Sequence, residues 1–412
     1  DVHRVQKRQS ITNVYRVGEL AMQVDIVIEQ RFYRCLKGLY WTENMFPYAF
    51  WLRYLRVFSR VNIVARVAHV NNAEPSWHRV DGSKVGFVEL PSYIGPVGFV
   101  KTLPRLVSVL RKRTHAPRSV IFRIPGILAA IYQLLALPKG AKFGAEVVGD
   151  PADVFAKGAS KSPLRVIFKS LFSAMLKRQC QQAISIAYVT EHKLQQRYPP
   201  NLTAVHTHYS SIQLTDVDYT QRQMYPFHEP LRIVCVGNLA QPYKGCDFML
   251  QGIARLNAQG INVSLTWVGG GSLLPNMKAL AEALGIAAKV TFLGNVASRK
   301  EIRQVLDSAD LFVLCSRQEG LPRVLIEAMA RSLICVATDV GGVDELLARE
   351  FILPRDDIDA LINRVTLVAK MTQSERLVES KRNLEIARNY HDQKLQIRRD
   401  MMYQAVLEAS SC

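Results

Sequence analysis

From residue 230 onward, short and nearly continuous apolar runs alternate regularly with helical segments, and this alternation constrains the fold more than any other feature. Residues 231–236, 263–268, 290–293, 311–315 and 333–337 are the apolar runs, and 247–259, 273–284, 300–308, 324–330 and 343–347 carry apolar residues at helical spacing. Runs of this kind are strands buried on both faces, and strands separated by helices pair in parallel, so a Rossmann-like α/β domain is expected. The N-terminal half offers the same ingredients less regularly. Strands are expected at 24–28, 61–65, 85–90, 120–123, 145–148 and 184–189, with helices at 49–58, 99–113, 127–137 and 163–182. A chain of 412 residues exceeds the size of a single hydrophobic core. The expected division is an N-terminal domain over 1–225, a C-terminal domain over 226–390, and a final helix over 391–412 that crosses back to the N-terminal domain.

The formal net charge is +18, and its whole excess lies before about residue 200. An asymmetry of this size points the N-terminal half toward an anionic surface or acceptor. Lys161, Arg165, Lys169 and Lys177 alternate with apolar residues over 161–177, and Arg111, Lys112 and Arg113 add to the same charge. This helix can lie on an anionic membrane or serve as an ordinary core helix with a basic edge. Nucleic acid is disfavoured, because no stacking aromatics interleave with the basic residues. The seven cysteines are scattered and odd in number, which fits a reducing cytoplasm and neither a disulfide framework nor a zinc site. The first 22 residues lack the apolar stretch of a signal peptide, and no window is apolar enough to span a bilayer, so any membrane contact is expected to be peripheral.

The densest chemistry lies in Glu319-Gly320-Leu321-Pro322-Arg323 and, eight residues after Glu319, Glu327. Glu319 follows a buried strand and Glu327 lies on the next helix, which is where an open parallel sheet binds ligands. A carboxylate accepts from vicinal hydroxyls, Gly320 allows close backbone approach, and the first amides of the helix can receive phosphate or sugar oxygens. An earlier loop runs from Gly237 and Asn238 to Lys244, whose ammonium can stabilise charge on a diphosphate. Gly269 and Gly270 close the next strand in a Gly-Gly-Gly-Ser turn that does not complete a dinucleotide motif.

These residues resemble the retaining, metal-independent glycosyltransferases of GT-B fold, family 4. The spacing from Glu319 to Glu327 is similar to that family's E-x7-E motif. The resemblance implies two Rossmann-like domains facing across a cleft, a nucleotide-diphosphate sugar as donor, and no metal or other cofactor. It implies that Glu319 binds donor-sugar hydroxyls, that Glu327 holds the ribose, and that the backbone of Gly320, Leu321 and the neighbours of Pro322 lines the sugar and diphosphate. Lys244 matches the family's diphosphate-binding lysine. Asn238 stands where an arginine is usual, so Arg323 or an N-terminal arginine would take its place. Gly269 and Gly270 match a donor-domain turn, and Asn295 and Val296 match a loop that recognises the base. On the acceptor side, Asp150 stands where the family commonly has a histidine, and its bland reading is a helix N-cap followed by proline. No paired glycines follow the first strand, whose loop is read as 31–44. Asp216 and Asp218 spell the D-x-D of metal-dependent sugar transferases but are taken as a coincidence away from the site.

The implied reaction is transfer of a sugar to a hydroxyl of a saccharide or polyprenyl-diphosphate-linked acceptor in bacterial surface-polysaccharide assembly, catalysed by Lys244, Glu319 and Asp150. Another GT-B activity, such as an epimerase or a phosphorylase, and a catalytically silent binding subunit remain as alternatives.

Overall fold

The computed structural model describes residues 22–411 except 44, 114–118, 155–164, 227 and 297. Its C-terminal sheet holds β10 (Leu231–Val236), β11 (Val263–Val268), β12 (Val290–Gly294), β13 (Leu311–Leu314), β14 (Ile334–Thr338) and β15 (Ile352–Leu353). All pair in parallel, in the order β12-β11-β10-β13-β14-β15. Strands β13 and β14 are buried along their whole length, because helices cover both faces. The chain moves outward from β10 to β12 on one side and from β13 to β15 on the other. The gap between the ends of β10 and β13 is therefore a topological switch point.

The N-terminal sheet contains β1 (Gln23–Cys35), β2 (Tyr40–Thr42), β3 (Arg60–Val70), β4 (His78–Arg79), β5 (Val85–Pro91), β6 (Ser119–Ile124), β7 (Gly144–Val147), β8 (Ser185–Tyr188) and β9 (Val205–His208). Its parallel body runs β5-β3-β1-β6-β7-β8-β9, and β2 and β4 extend the far end of β1 in antiparallel fashion. The expected loop at 31–44 is corrected here. A register shift between Val27 and Arg31 lets β1 continue to Cys35, pairing Arg31–Cys35 with Arg66–Val70. Phe32 and Tyr33 on this extension are buried, which explains why the chain stays extended. The helix expected at 343–347 is a single 3-10 turn, Val343–Glu345.

Helices Gly95–Arg111, Ile127–Leu135 and Arg165–Gln182 cover one face of the N-terminal sheet, with Leu106, Leu128, Leu176 and Cys180 in that core. The other face receives the last helix, Asp392–Ser411. A Cβ on Gly144 would stand 2.5 Å from a methyl of Val406, so β7 meets this helix at closest approach. The Ser185 hydroxyl donates to the Met402 carbonyl at 3.1 Å.

Candidate active site

The two loops that leave the C-terminal switch point are laced together before any ligand is considered. The Arg317 guanidinium donates twice to Asp247, at 2.9 Å each, and once to Asp356 and to the Pro242 carbonyl, at 2.8 Å each. The Arg317 backbone N–H also donates to the Tyr243 carbonyl at 2.7 Å. Gly245, at φ +72°, is required because a Cβ there would lie 2.0 Å from the Cys315 carbonyl oxygen. The lacing brings Lys244 from the β10 loop to Glu319 from the β13 loop, with Nζ 2.6 Å from Oε1. Both side chains are mostly buried, at 15% and 14% exposure, so the pair sits on the floor of the cleft.

Pro322, with φ −72° and ψ 103°, starts the helix Arg323–Ala330, whose Leu325, Ile326 and Met329 are buried. The opposite side of the helix carries Glu327, half-buried beside a cavity of about 60 Å3 that Arg299, Arg303, Leu306 and Asp218 also line. Burial raises the Glu327 carboxyl above its ordinary value, opposed by the charges of Arg323 and Arg299. Asp218 thus stands in the wall of the Glu327 cavity, which corrects its expected distance from the site. Its own bonds are structural: it caps the turn at Thr215 and pairs with Arg303 at 2.6 Å.

Several expected donor contacts are occupied by the loops themselves. The Asn238 side chain accepts from the Ala240 N–H at 2.5 Å, and Asn295 accepts from the Gly270 N–H at 2.8 Å. Gly269 and Gly271 are needed because Cβ atoms there would lie 2.1 Å from the Gly237 carbonyl oxygen and 2.3 Å from the Ala240 nitrogen. The glycine turn is therefore built for backbone-to-backbone packing, with Gly237 itself tight against the Lys244 side chain. Arg323 is exposed at the mouth of the helix, and Leu321 is buried against the position of Gly342.

Across the cleft, the backbone of Gly320 meets the N-terminal domain. A Cβ at 320 would stand 2.4 Å from the Val148 carbonyl oxygen. This close approach is to the facing domain, not to a ligand. Asp150 lies beyond Val148, in the wall of a cleft cavity of about 230 Å3 that Glu319, Lys193, Arg197 and Arg355 also line. Asp150 caps the Pro151–Val154 turn by accepting from the Ala152 N–H at 2.8 Å. It also pairs with Arg197 and accepts from the Tyr198 hydroxyl at 2.6 Å. The cleft-lining Asp153 has its carboxyl raised by burial and by neighbouring Asp150.

The domains are further joined by a carboxylate in a backbone cradle. The N–H groups of Glu191, His192 and Lys193 donate to Glu345 at 2.6, 3.0 and 2.7 Å, and Lys193 pairs with Asp344 at 3.0 Å. Neither this clamp nor the Arg317 lacing has a sequence signal, since each joins residues far apart in the chain. At the N-terminal switch point, Glu29 accepts from the Leu128 N–H at 3.2 Å, and burial raises its carboxyl.

Two Rossmann-like domains facing across a cleft, with the functional side chains at the carboxyl ends of their strands, define the GT-B fold. Residues 230–370 match the family described as Glycosyl transferases group 1, so the C-terminal domain is a group 1 glycosyl transferase domain. Protein CapJ of Staphylococcus aureus is 25% identical over 362 residues, which cover 86% of this chain and 88% of CapJ. The amylovoran biosynthesis glycosyltransferase AmsK of Erwinia amylovora is 31% identical over 157 residues, 36% of this chain and 37% of AmsK. Among solved structures, the sucrose-phosphate synthase of Thermosynechococcus elongatus matches with a TM-score of 0.67 at 15% identity, covering 94% of this chain and 99% of that one.

Proposed function

We propose that the chain is a retaining glycosyltransferase that moves the sugar of a nucleotide-diphosphate sugar onto a hydroxyl of a saccharide or lipid-linked saccharide in bacterial surface-polysaccharide assembly. The observation that carries this reading is the Lys244–Glu319 pair, 2.6 Å apart at the switch point and facing the second domain. A bound donor exchanges that pair for its own contacts: Lys244 turns to the diphosphate and Glu319 to the sugar hydroxyls. Glu327 then accepts from the ribose. As the sugar departs, negative charge builds on the diphosphate, where Lys244, the amides at the start of the Arg323–Ala330 helix and the exposed Arg323 oppose it. These cations make the step independent of a metal. Asn238 is committed to its own turn, so Arg323 is the cation that stands in for the missing arginine. Asp150, held by Arg197 and Tyr198, acts on the acceptor side by orienting the cleft wall.

The relatives' printed names place AmsK in amylovoran biosynthesis, which supports a polysaccharide role. The N-terminal domain supports a peripheral position on the cytoplasmic face of a membrane. Ile94, Val97 and Val100 on one helix and Val166, Ile167 and Leu171 on another are more than half exposed, beside exposed Lys101, Arg105, Lys169 and Lys177. Lys161 lies outside the described residues. Among the described residues no helix is long and apolar enough to cross a membrane.

Incubation with UDP-, GDP- and ADP-sugars and saccharide acceptors tests the reading. Wild type should release nucleotide and form a glycoside of unchanged anomeric configuration, and Lys244→Ala should lower kcat by about 10²-fold or more. An inverted product, or a donor that binds without transfer to any acceptor, would refute it.

A further inference from the structure

The N-terminal sheet ends in a group of buried guanidiniums whose charge the described residues do not balance. Arg123 on β6 pairs with Glu146 on β7, and Arg399 on the last helix pairs with Asp392 at 2.9 Å. Glu146 is further saturated by the hydroxyls of Tyr54, Tyr209 and Tyr403, which donate to it at 3.0, 2.8 and 3.1 Å. Arg53 is 6% exposed and has no carboxylate partner among the described residues. Its guanidinium stacks on Phe50 at 4.1 Å, reaches the Ser211 carbonyl at a long 3.5 Å, and leaves its Nε without any bond. Burial and the neighbouring Arg399 pull its pKa down to about 10, still high enough to keep the charge at neutral pH. A buried charge without a counter-ion is among the costliest arrangements in a protein interior, so an anion that pairs with it would recover a large part of that cost.

The surroundings say where that anion comes from. Arg53, Arg123 and Glu146, with Val148, Tyr209 and Ser211, line a cavity of about 10 Å3, room for one oxygen atom; the Glu146 carboxylate in its wall is already taken up by Arg123 and the three tyrosine hydroxyls, which leaves Arg53 as the unpaired charge. The cavity lies at the carboxyl ends of β6, β7 and β8, the edge of an open sheet at which ligands bind. Its wall residue Val148 carries the carbonyl that meets Gly320, so the donor loop stands directly beside it.

We infer that Arg53 is the anion contact of the acceptor: one oxygen of a phosphate or carboxylate carried by the accepting sugar enters this cavity and pairs with the guanidinium. The inference rests on the glycosyltransferase reading above and names the class of acceptor. A neutral sugar of the same shape leaves the guanidinium unpaired, so selection acts on charge.

The test uses the full chain with Arg53→Met, in a Lys244→Ala background so that phosphate cannot report from the donor side. At constant ionic strength, inorganic phosphate should raise the melting temperature of Lys244→Ala, and R53M should abolish that shift. Without phosphate, R53M should melt no lower than its parent, because an uncompensated charge has been removed. A parent with no phosphate shift, an R53M that keeps it, or an R53M that melts well below its parent, as a structural arginine requires, overturns the inference. Arg53→Lys, which keeps the charge but not the planar fork, should retain part of the shift. In transfer assays with Lys244 restored, a glycosyl phosphate, a polyprenyl glycosyl diphosphate and a uronate glycoside are compared with a neutral methyl glycoside. One charged acceptor should be preferred by about tenfold or more, and R53M should erase the preference. Equal use of the neutral acceptor overturns the inference. Absence of all transfer refutes the enzymatic reading alone, since the phosphate shift is measured without turnover.

Discussion

Glu327, which the proposed function assigns to the ribose, carries a cost in stability. Its carboxyl is raised above 4.5 in the folded chain, chiefly by burial. In the pH window from 4.5 up to that raised value the folded state holds more protons than the unfolded one. Stability therefore falls as pH rises through the window, and the loss persists above it. Glu327→Gln should remove this loss, so that the variant melts at or above wild type at neutral pH. The same variant should bind nucleotide about tenfold more weakly, because an amide is a poorer acceptor for ribose hydroxyls. Wild-type nucleotide affinity should fall as pH drops through the Glu327 pKa, and calorimetric titration at several pH values checks both effects. At this scale the sequence drew attention to Glu319 and Glu327 through their spacing after a buried strand and to Lys244 through its place in the loop after β10, and the fold brings Lys244 and Glu319 together. Arg53 and Arg317 were not legible, because single arginines gain meaning only from partners that the chain brings together on folding.

Among the elements, five of the six C-terminal strands were readable as nearly continuous apolar runs, and β15 was not, because two residues at the sheet edge are too short to carry a pattern. The N-terminal sheet was harder. Strand β9 reads Val-His-Thr-His and β4 is His-Arg, so neither carries an apolar signal. Strand β1 passes its bulge by exchanging pairs on β3, which no local pattern encodes. Gly320 is expected from the sequence to let the backbone approach a ligand, but the constraint the fold places on it comes from the facing domain. Gly320→Ala places a Cβ 2.4 Å from the Val148 carbonyl oxygen, and both atoms belong to backbones that cannot rotate away. The domains must then separate. Small-angle scattering should show a larger radius of gyration, and kcat/KM should drop about tenfold or more while each domain keeps its fold.

At the scale of the whole molecule, polar contacts help to hold the two domains together. The Glu345 carboxylate holds three backbone N–H groups of the opposite domain. Glu345→Ala should speed hydrogen exchange at residues 191–193 by about tenfold or more, without changing exchange in β10 or β13. An unchanged rate at 191–193 would show that Lys193 and its aspartates hold the cleft by themselves. The +18 charge, concentrated before residue 200, fits the basic and partly apolar outer face of the N-terminal helices. Composition revealed that asymmetry but not which helix faces would carry it.

The helix Asp392–Ser411 has a consequence for synthesis. Tyr403 bonds the buried Glu146, and Met402 and Val406 pack against Gly144, so the first domain in the chain is finished by residues made long after it. The sheet β10 to β15 has all its strands by residue 353 and can close on itself while the chain is still growing. The half that emerges first from the ribosome therefore matures last. Until residue 403 is free to dock, one apolar face and one carboxylate of the N-terminal sheet stay uncovered, and a nascent chain stalled before that point is the species most dependent on chaperones.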